Sequence, residues 1–112
     1  MSNPLLDRHC TREARLLDAA DIEDLIGRIN TGWSLAEDGK SIERTFKFKN
    51  YFQTIAFVNA LAWVAHSEDH HPELAVGYNR CVVTYSTHSV GGLSENDFIC
   101  AAHVDALLAS DG

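Results

Sequence analysis

The amino-acid sequence predicts an α+β domain: a four-stranded antiparallel sheet with three helices packed on one face. Two observations lead to this prediction. Apolar residues recur at helical spacing in three segments, and two pairs of strand-like segments are each joined by a short turn. The predicted order is α-β-β-α-β-β-α, and two hairpins separated by a helix favour an antiparallel sheet covered by helices.

The first helix and the first hairpin have clear boundary signals. Asp18 with Asp21 is typical of a helix cap, and the apolar residues that follow predict a helix ending at residues 30–32. Residues 33–36 and 42–48 are predicted to form a β-hairpin around a glycine-containing turn.

The second helix is predicted to be the main core helix. Asn50 with Gln53 resembles a capping box, so the helix is expected to run from residue 51 to about residue 66. The residues predicted to face the core are Phe52, Ile55, Ala56, Asn59, Ala62 and Trp63, with Phe57, Leu61 and Val64 at the margins.

The second hairpin and the last helix complete the chain. Residues 74–78 and 81–87 are predicted strands, because the second of these segments is rich in β-branched and aromatic residues. Ser94 with Asp97 predicts a cap for a last helix over residues 95–108.

Length and composition limit the class of protein. The 112 residues predict a single domain over 1–112, with residues 1–17 expected to be a loosely held N-terminal segment. The net charge of −7 argues against nucleic acid as a ligand. No apolar run is long enough for a membrane span and no secretory signal is visible, so a cytoplasmic location is expected. The cysteines Cys10, Cys81 and Cys100 lie far apart in the sequence and are expected to be reduced thiols.

Two short stretches carry the candidate functional histidines. Imidazole has an unperturbed pKa near neutrality, so a group of histidines can take up and release protons at cellular pH. If the second hairpin folds back on the end of the second helix, the two stretches meet around one pocket. They are His66-Ser67-Glu68-Asp69-His70-His71-Pro72-Glu73 and Ser86-Thr87-His88.

Three interpretations of these histidines compete. The histidines could be solvated loop residues, ligands of a metal ion, or metal-free general acid/base groups. A metal site would combine His66, His70 and His88 with a carboxylate from Glu68, Asp69 or Glu73. The sequence lacks an HExxH motif and a cysteine pair, so the metal interpretation ranks below the others and no metal ligand is assigned.

The order of motifs resembles the signature of the pterin-4a-carbinolamine dehydratases. The resemblance covers about residues 17–108 and includes segments upstream of the histidines, among them Gly32-Trp33 and residues 46–51. The motifs that carry it are His70-His71-Pro72-Glu73, Tyr78-Asn79, Ser86-Thr87-His88, Gly92-Leu93-Ser94 and Asp97.

The resemblance implies an enzyme that dehydrates 4a-hydroxytetrahydropterin to the quinonoid dihydropterin. It implies that His70, His71 and His88 carry catalysis and pterin binding, with no cofactor. We expect His70 and His88 to transfer protons and His71 to position the pterin. The residues expected to bind or orient the substrate are Glu73, Ser86, Thr87 and Asp97. Asp97 is further expected to orient a histidine as well as to cap its helix.

The same resemblance implies partners and a rival function. Animal members also act as dimerisation cofactors of a homeodomain transcription factor, so a non-enzymatic interaction protein is the alternative. The family implies coupling to an aromatic amino acid hydroxylase and a homodimer or homotetramer. One position departs from the animal pattern, because His66 stands where those members have a glutamate.

Overall fold

The computed structural model describes residues 4–109 and confirms the predicted α+β class, with helices and a four-stranded antiparallel sheet in the expected order. The elements are α1 (Ala19–Ile26), β1 (Ser34–Leu35), β2 (Ile42–Lys47), α2 (Tyr51–Glu68), β3 (Glu73–Val76), β4 (Arg80–Tyr85) and α3 (Glu95–Ala109), with short 3₁₀ turns at Pro4–Asp7 and His88–Val90.

The sheet has the strand order β1-β2-β4-β3, which puts β2 and β4 at its centre. Both central strands alternate between buried and more exposed positions, as expected for a sheet with one covered face. Ile42 pairs with Tyr85 and Phe46 pairs with Cys81, and all four side chains are buried. The core therefore lies between this face of the sheet and the helices.

The helix caps are local and match the prediction. The Asp18 carboxylate accepts a hydrogen bond from the Asp21 amide at 2.8 Å, and the Asn50 side chain accepts one from the Gln53 amide at 2.9 Å. α1 ends at Ile26, earlier than predicted. The Arg28 amide bonds to the carbonyl only three residues before it, which is the geometry of a tight turn.

The predicted core face of α2 is wrong. Phe52 and Trp63 are 79% and 70% exposed, whereas Phe57 and Leu61 are buried. α2 carries apolar residues around most of its circumference, so their spacing does not select one face. The choice is made by contacts to distant residues: the Phe57 ring packs 4.6 Å from the Phe46 ring, and the Thr54 hydroxyl donates to the Tyr78 carbonyl at 3.0 Å.

The N-terminal segment packs on α3, although the sequence led us to expect residues 1–17 to be loosely held. The Leu5 side chain is only 2% exposed and belongs to the core. The Thr11 amide donates to the Asn96 side chain at 3.0 Å, and that side chain donates back to the Thr11 carbonyl at 2.8 Å. Such two-way bonding to a buried asparagine holds the described part of the segment against the first turn of α3.

α3 is also hydrogen-bonded to residues at the β1–β2 edge of the sheet. The Asp105 carboxylate accepts hydrogen bonds from the Trp33 indole at 2.8 Å and from the Arg44 guanidinium at 2.5 Å. These bonds fix β1 and β2 relative to α3. Within residues 4–109, none of the helices is both long and apolar enough to cross a bilayer.

Candidate active site

Pairing of β3 with β4 brings the two histidine stretches side by side. Glu73 at the start of β3 is opposite Thr84 near the end of β4. The rings of His70 and Tyr85 stack with centroids 5.6 Å apart and an interplanar angle of 17°. The hairpin therefore brings His70 against the last residue of β4.

A buried carboxylate joins the two stretches. Asp97, in the first turn of α3, is fully buried, and its Oδ1 lies 2.6 Å from Nε2 of His70. Its Oδ2 accepts hydrogen bonds from the Thr87 hydroxyl at 2.8 Å and from the Ser94 amide at 3.0 Å. Residues from the start of β3, the end of β4 and the start of α3 thus converge on one carboxyl group.

The Thr87 and Ser94 hydroxyls complete this network. Their oxygens are 2.7 Å apart, and both side chains are buried. The sequence predicted that Ser94 would cap α3. The cap is instead shared, because Asp97 accepts from the Ser94 amide while the Ser94 hydroxyl turns to Thr87.

Asp97 determines which nitrogen of His70 carries a proton. An ionised carboxylate only accepts hydrogen bonds, so Nε2 of His70 is the donor in this bond. Nδ1 of the ring takes no part in it. The His70 side chain is 13% exposed and is held between Tyr85 and Asp97. Such a histidine has a fixed orientation and little freedom to move.

A left-handed residue separates α2 from His70. Asp69 has φ 53° and ψ 42°, and its amide bonds back to carbonyls of the last turn of α2. The helix therefore stops before Pro72 and before His70. His66 lies on α2, whereas His70 lies beyond its end, so the two do not share a helical face.

His71 and His88 have a different environment, because both are exposed. His88 begins the 3₁₀ turn that follows Thr87, and the Thr87 amide donates to the Gly92 carbonyl at 2.7 Å. Gly91 ends this turn with φ 70°, a conformation that favours glycine. This closed loop keeps His88 next to the residue that bonds to Asp97.

The remaining predicted site residues border the same region. Glu73 is the exposed first residue of β3, and Ser86 is half-buried between β4 and Thr87. Their side chains differ in accessibility, so Glu73 is open to a bound molecule and Ser86 is partly covered.

Tyr85 adds a buried hydroxyl beneath His70. Within residues 4–109 it has no partner at hydrogen-bonding geometry, and the Cys100 thiol is a polar neighbour. Burial and this neighbour raise the pKa of Tyr85 far above its usual range, so the hydroxyl stays neutral. Sequence analysis did not single out Tyr85, since a strand tyrosine carries no signal of its partner.

The ligands of the alternative metal site are not gathered. Among the described residues, the group of three or more ligand side chains that come together is His9, Glu68 and His103, and it excludes His66, His70 and His88. Glu68 points to the N-terminal segment, where its carboxylate lies 2.8 Å from Nδ1 of His9.

The cysteines are closer than their sequence positions suggest. The sulfur atoms of Cys10 and Cys100 are 3.4 Å apart, and both thiols are free. The contact with Cys100 and burial raise the pKa of Cys10 far above its usual range. Cys10 therefore remains a neutral thiol in the reduced protein.

Comparison with known proteins agrees with this geometry. The family model described as pterin 4 alpha carbinolamine dehydratase matches residues 15–107. A relative from Nitrosomonas eutropha, whose name assigns it provisionally to this family, is 62% identical over 80% of this chain and 78% of its own length. A similarly named relative from Xanthomonas campestris is 56% identical over 93% of this chain and 90% of its own.

Two solved structures share the fold. A transcriptional coactivator/pterin dehydratase from Brucella melitensis has a TM-score of 0.77 and 33% identity, over 81% of this chain and 96% of that one. A pterin dehydratase-like protein identified as a RuBisCO assembly factor in the alpha-carboxysome has a TM-score of 0.61 and 28% identity, over 71% of this chain and 93% of that one. Sequence and fold together show that the chain belongs to the pterin 4 alpha carbinolamine dehydratase family.

Proposed function

We propose that the protein dehydrates 4a-hydroxytetrahydropterin to the quinonoid dihydropterin and water, in support of tetrahydrobiopterin-type cofactor recycling. The observation that supports this proposal is the pair of exposed imidazoles, His71 and His88, beside the buried His70–Asp97 pair. In the reaction the 4a-hydroxyl takes up a proton and leaves as water. N5 gives up its proton, and the electron pair left on N5 forms the double bond to C4a. No oxidation occurs, so the proposed chemistry calls for no redox cofactor.

The contrast in burial suggests a division of roles that differs from the one expected from the sequence. His71 and His88 are the imidazoles that a bound pterin can reach, so we assign them proton transfer at the hydroxyl and at N5. His70 uses Nε2 for Asp97 and is mostly buried, so it supports the site through its fixed ring. Its proposed role is to position the adjacent backbone of the same chain. The same carboxylate also holds Thr87.

The pterin ring also has a donor edge that needs acceptors. Glu73 is exposed at the start of β3 and offers a carboxylate for the amino and amide N–H groups of the ring. Ser86 is proposed to contact the ring along the same edge, whereas the backbone of Thr87 is already bonded within its own loop. These contacts are part of the proposal.

The test is an assay of the dehydration itself. A phenylalanine hydroxylase generates the carbinolamine, the purified protein is added, and formation of the quinonoid product is followed by absorbance. We expect acceleration over the spontaneous reaction, and a loss of about 100-fold or more in kcat in His71→Ala or His88→Ala. His66→Ala is the comparison variant, because His66 is an exposed histidine of α2 that precedes the turn carrying His70. No acceleration by the wild-type protein, or full activity in the His71→Ala, His88→Ala double variant, contradicts the proposal.

An interaction role is the second candidate. The related structures include a protein titled a transcriptional coactivator and one identified as an assembly factor. This chain exposes large apolar side chains on α2, where Phe52 is 79% and Trp63 is 70% exposed. Such side chains are typical of surfaces that bind protein. We propose that they take part in a homodimer or homotetramer, which sedimentation of the wild-type protein and of Trp63→Ser tests directly.

The cellular setting follows from the proposed reaction. The substrate arises from aromatic amino acid hydroxylation, so the protein is expected to act alongside such a hydroxylase in the cytoplasm. Activity measured with and without this protein in a coupled hydroxylase assay tests that relation.

A further inference from the structure

A second cluster of histidine and carboxylate side chains lies outside the proposed dehydratase site. It consists of His9 in the N-terminal segment, Glu68 at the end of α2 and His103 in α3. One ligand atom from each side chain lies within 4.8 Å of the others. We propose that these three residues bind a divalent transition-metal ion of the zinc type.

The donor set fits such an ion. Two imidazole nitrogens and one carboxylate oxygen are a recognised set of three protein ligands for zinc, with water in the fourth position. Tetrahedral bonds of about 2.0–2.1 Å place neighbouring ligand atoms about 3.4 Å apart. Nδ1 of His9 and Oε2 of Glu68 are already 2.8 Å apart. The His9 side chain is 75% exposed, so it can shift by the small distance that coordination requires.

The residues on either side of His9 orient the other two ligands. The Cys10 amide donates to Oε1 of Glu68 at 2.7 Å, which leaves Oε2 directed at His9. The Arg8 carbonyl accepts a hydrogen bond from Nε2 of His103 at 3.1 Å. Backbone groups that bond to ligand side chains in this way are typical of the surroundings of a metal.

The electrostatic surroundings also favour a cation. The Glu68 side chain is only 7% exposed. Burial opposes its ionisation, but hydrogen bonds from His9 and the Cys10 amide outweigh that effect and keep the pKa of Glu68 below its usual value. The carboxylate is therefore charged at neutral pH. A neighbouring cavity of about 290 Å³ is lined by Glu68, Asp69 and Arg12, among other residues, and leaves room for a water ligand.

The balance of the binding step is simple. His9 shares a proton with Glu68 through its Nδ1, and a bound ion takes the place of that proton. The ring then carries its proton on Nε2, so the neutral imidazole binds the ion without a net loss of protons. The bound ion would join the N-terminal segment to the ends of α2 and α3.

Titration of the full-length, chelator-treated protein with Zn²⁺ tests the proposal, and Co²⁺ serves as a spectroscopic probe. We expect one Zn²⁺ per chain, with Co²⁺ giving the visible absorption of a four-coordinate site. His9→Ala and His103→Ala should each lower the Zn²⁺ affinity by about 100-fold. Because His9 is exposed, its replacement leaves the fold intact, and Zn²⁺ should raise the unfolding temperature of the wild-type protein but not of His9→Ala.

Two variants separate this site from the other histidines. His66→Ala removes an exposed histidine of α2, and His71→Ala removes one from the proposed dehydratase site. Both should bind Zn²⁺ like the wild-type protein. The proposal is overturned if the wild-type chain fails to bind Zn²⁺ stoichiometrically, or if His66→Ala or His71→Ala weakens binding as much as His9→Ala does. The readout is metal binding, so it is independent of dehydratase activity.

Discussion

Replacing Asp97 with alanine removes the carboxylate on which three elements converge. It is fully buried and accepts hydrogen bonds from His70, Thr87 and the Ser94 amide. The Thr87 and Ser94 hydroxyls can still bond to each other across 2.7 Å. That bond uses one of the two hydroxyl protons, so the donors that lose their acceptor are Nε2–H of His70, the Thr87 hydroxyl and the Ser94 amide.

The cost follows from these three donors. A buried donor left without an acceptor costs about 1–3 kcal/mol. We therefore expect Asp97→Ala to lower the free energy of unfolding by about 3–5 kcal/mol. Asp97→Asn keeps the volume and one acceptor oxygen, so about half of that loss is expected.

Urea unfolding, followed by far-UV circular dichroism and by the fluorescence of buried Trp33, measures the effect. Glu95→Ala is the matched control, because Glu95 is also an acidic residue in the first turn of α3 but pairs with Arg8 at the surface. An exposed pair contributes at most about 1 kcal/mol. If Asp97→Ala costs no more than Glu95→Ala, the network does not hold these elements together. A double-mutant cycle with His70→Ala should give a coupling of about 1.5 kcal/mol or more.

Three further predictions concern the end of α2 and the N-terminal segment. The Glu68 pKa lies below its ordinary value of 4.5, so the stabilisation it gives is complete above that pH and lost as pH falls through the lower folded value. Glu68→Gln should flatten the acid side of a plot of unfolding midpoint against pH. Asp69→Gly should stabilise by about 1 kcal/mol in urea, with Asp69→Ala as the control that gains nothing, because Asp69 has φ 53°. Prolonged treatment with a small-molecule disulfide at alkaline pH should link Cys10 to Cys100, because the sulfurs are 3.4 Å apart and the raised pKa of Cys10 slows the exchange at neutral pH. The link is detected by mass spectrometry and should be absent in Cys10→Ser. An unlinked wild-type chain contradicts the docking of this segment.

Local signals explain which elements could be predicted from the sequence. A cap such as Asn50 with Gln53 involves groups three residues apart, so it is visible in the sequence and is present in the structure. The β-hairpins and their order follow from alternation and turns in the same way. The core face of α2 does not, because Phe57 is selected over Phe52 by packing against a strand and not by spacing.

The site shows the same division between near and distant contacts. The motifs around His70 and His88 were recognised in the sequence. The hairpin between them was predicted as well, and its strand pairing brings the two motifs toward each other. The burial of His70 was not foreseen, since it depends on a ring stacked on Tyr85 and a carboxylate from another helix. The cluster of His9, Glu68 and His103 joins distant parts of the chain, and no periodic pattern links such residues.

The position of Asp97 has a consequence for the order in which the protein matures during synthesis. The segments that carry His70 and Thr87 leave the ribosome before the residue that holds both of them. A nascent chain that ends before α3 can pair β2 with β4, but it lacks the acceptor that fixes the His70 ring. Fixing of the His70 ring therefore waits for the last helix, and a chain released before α3 has a sheet without that fixed ring.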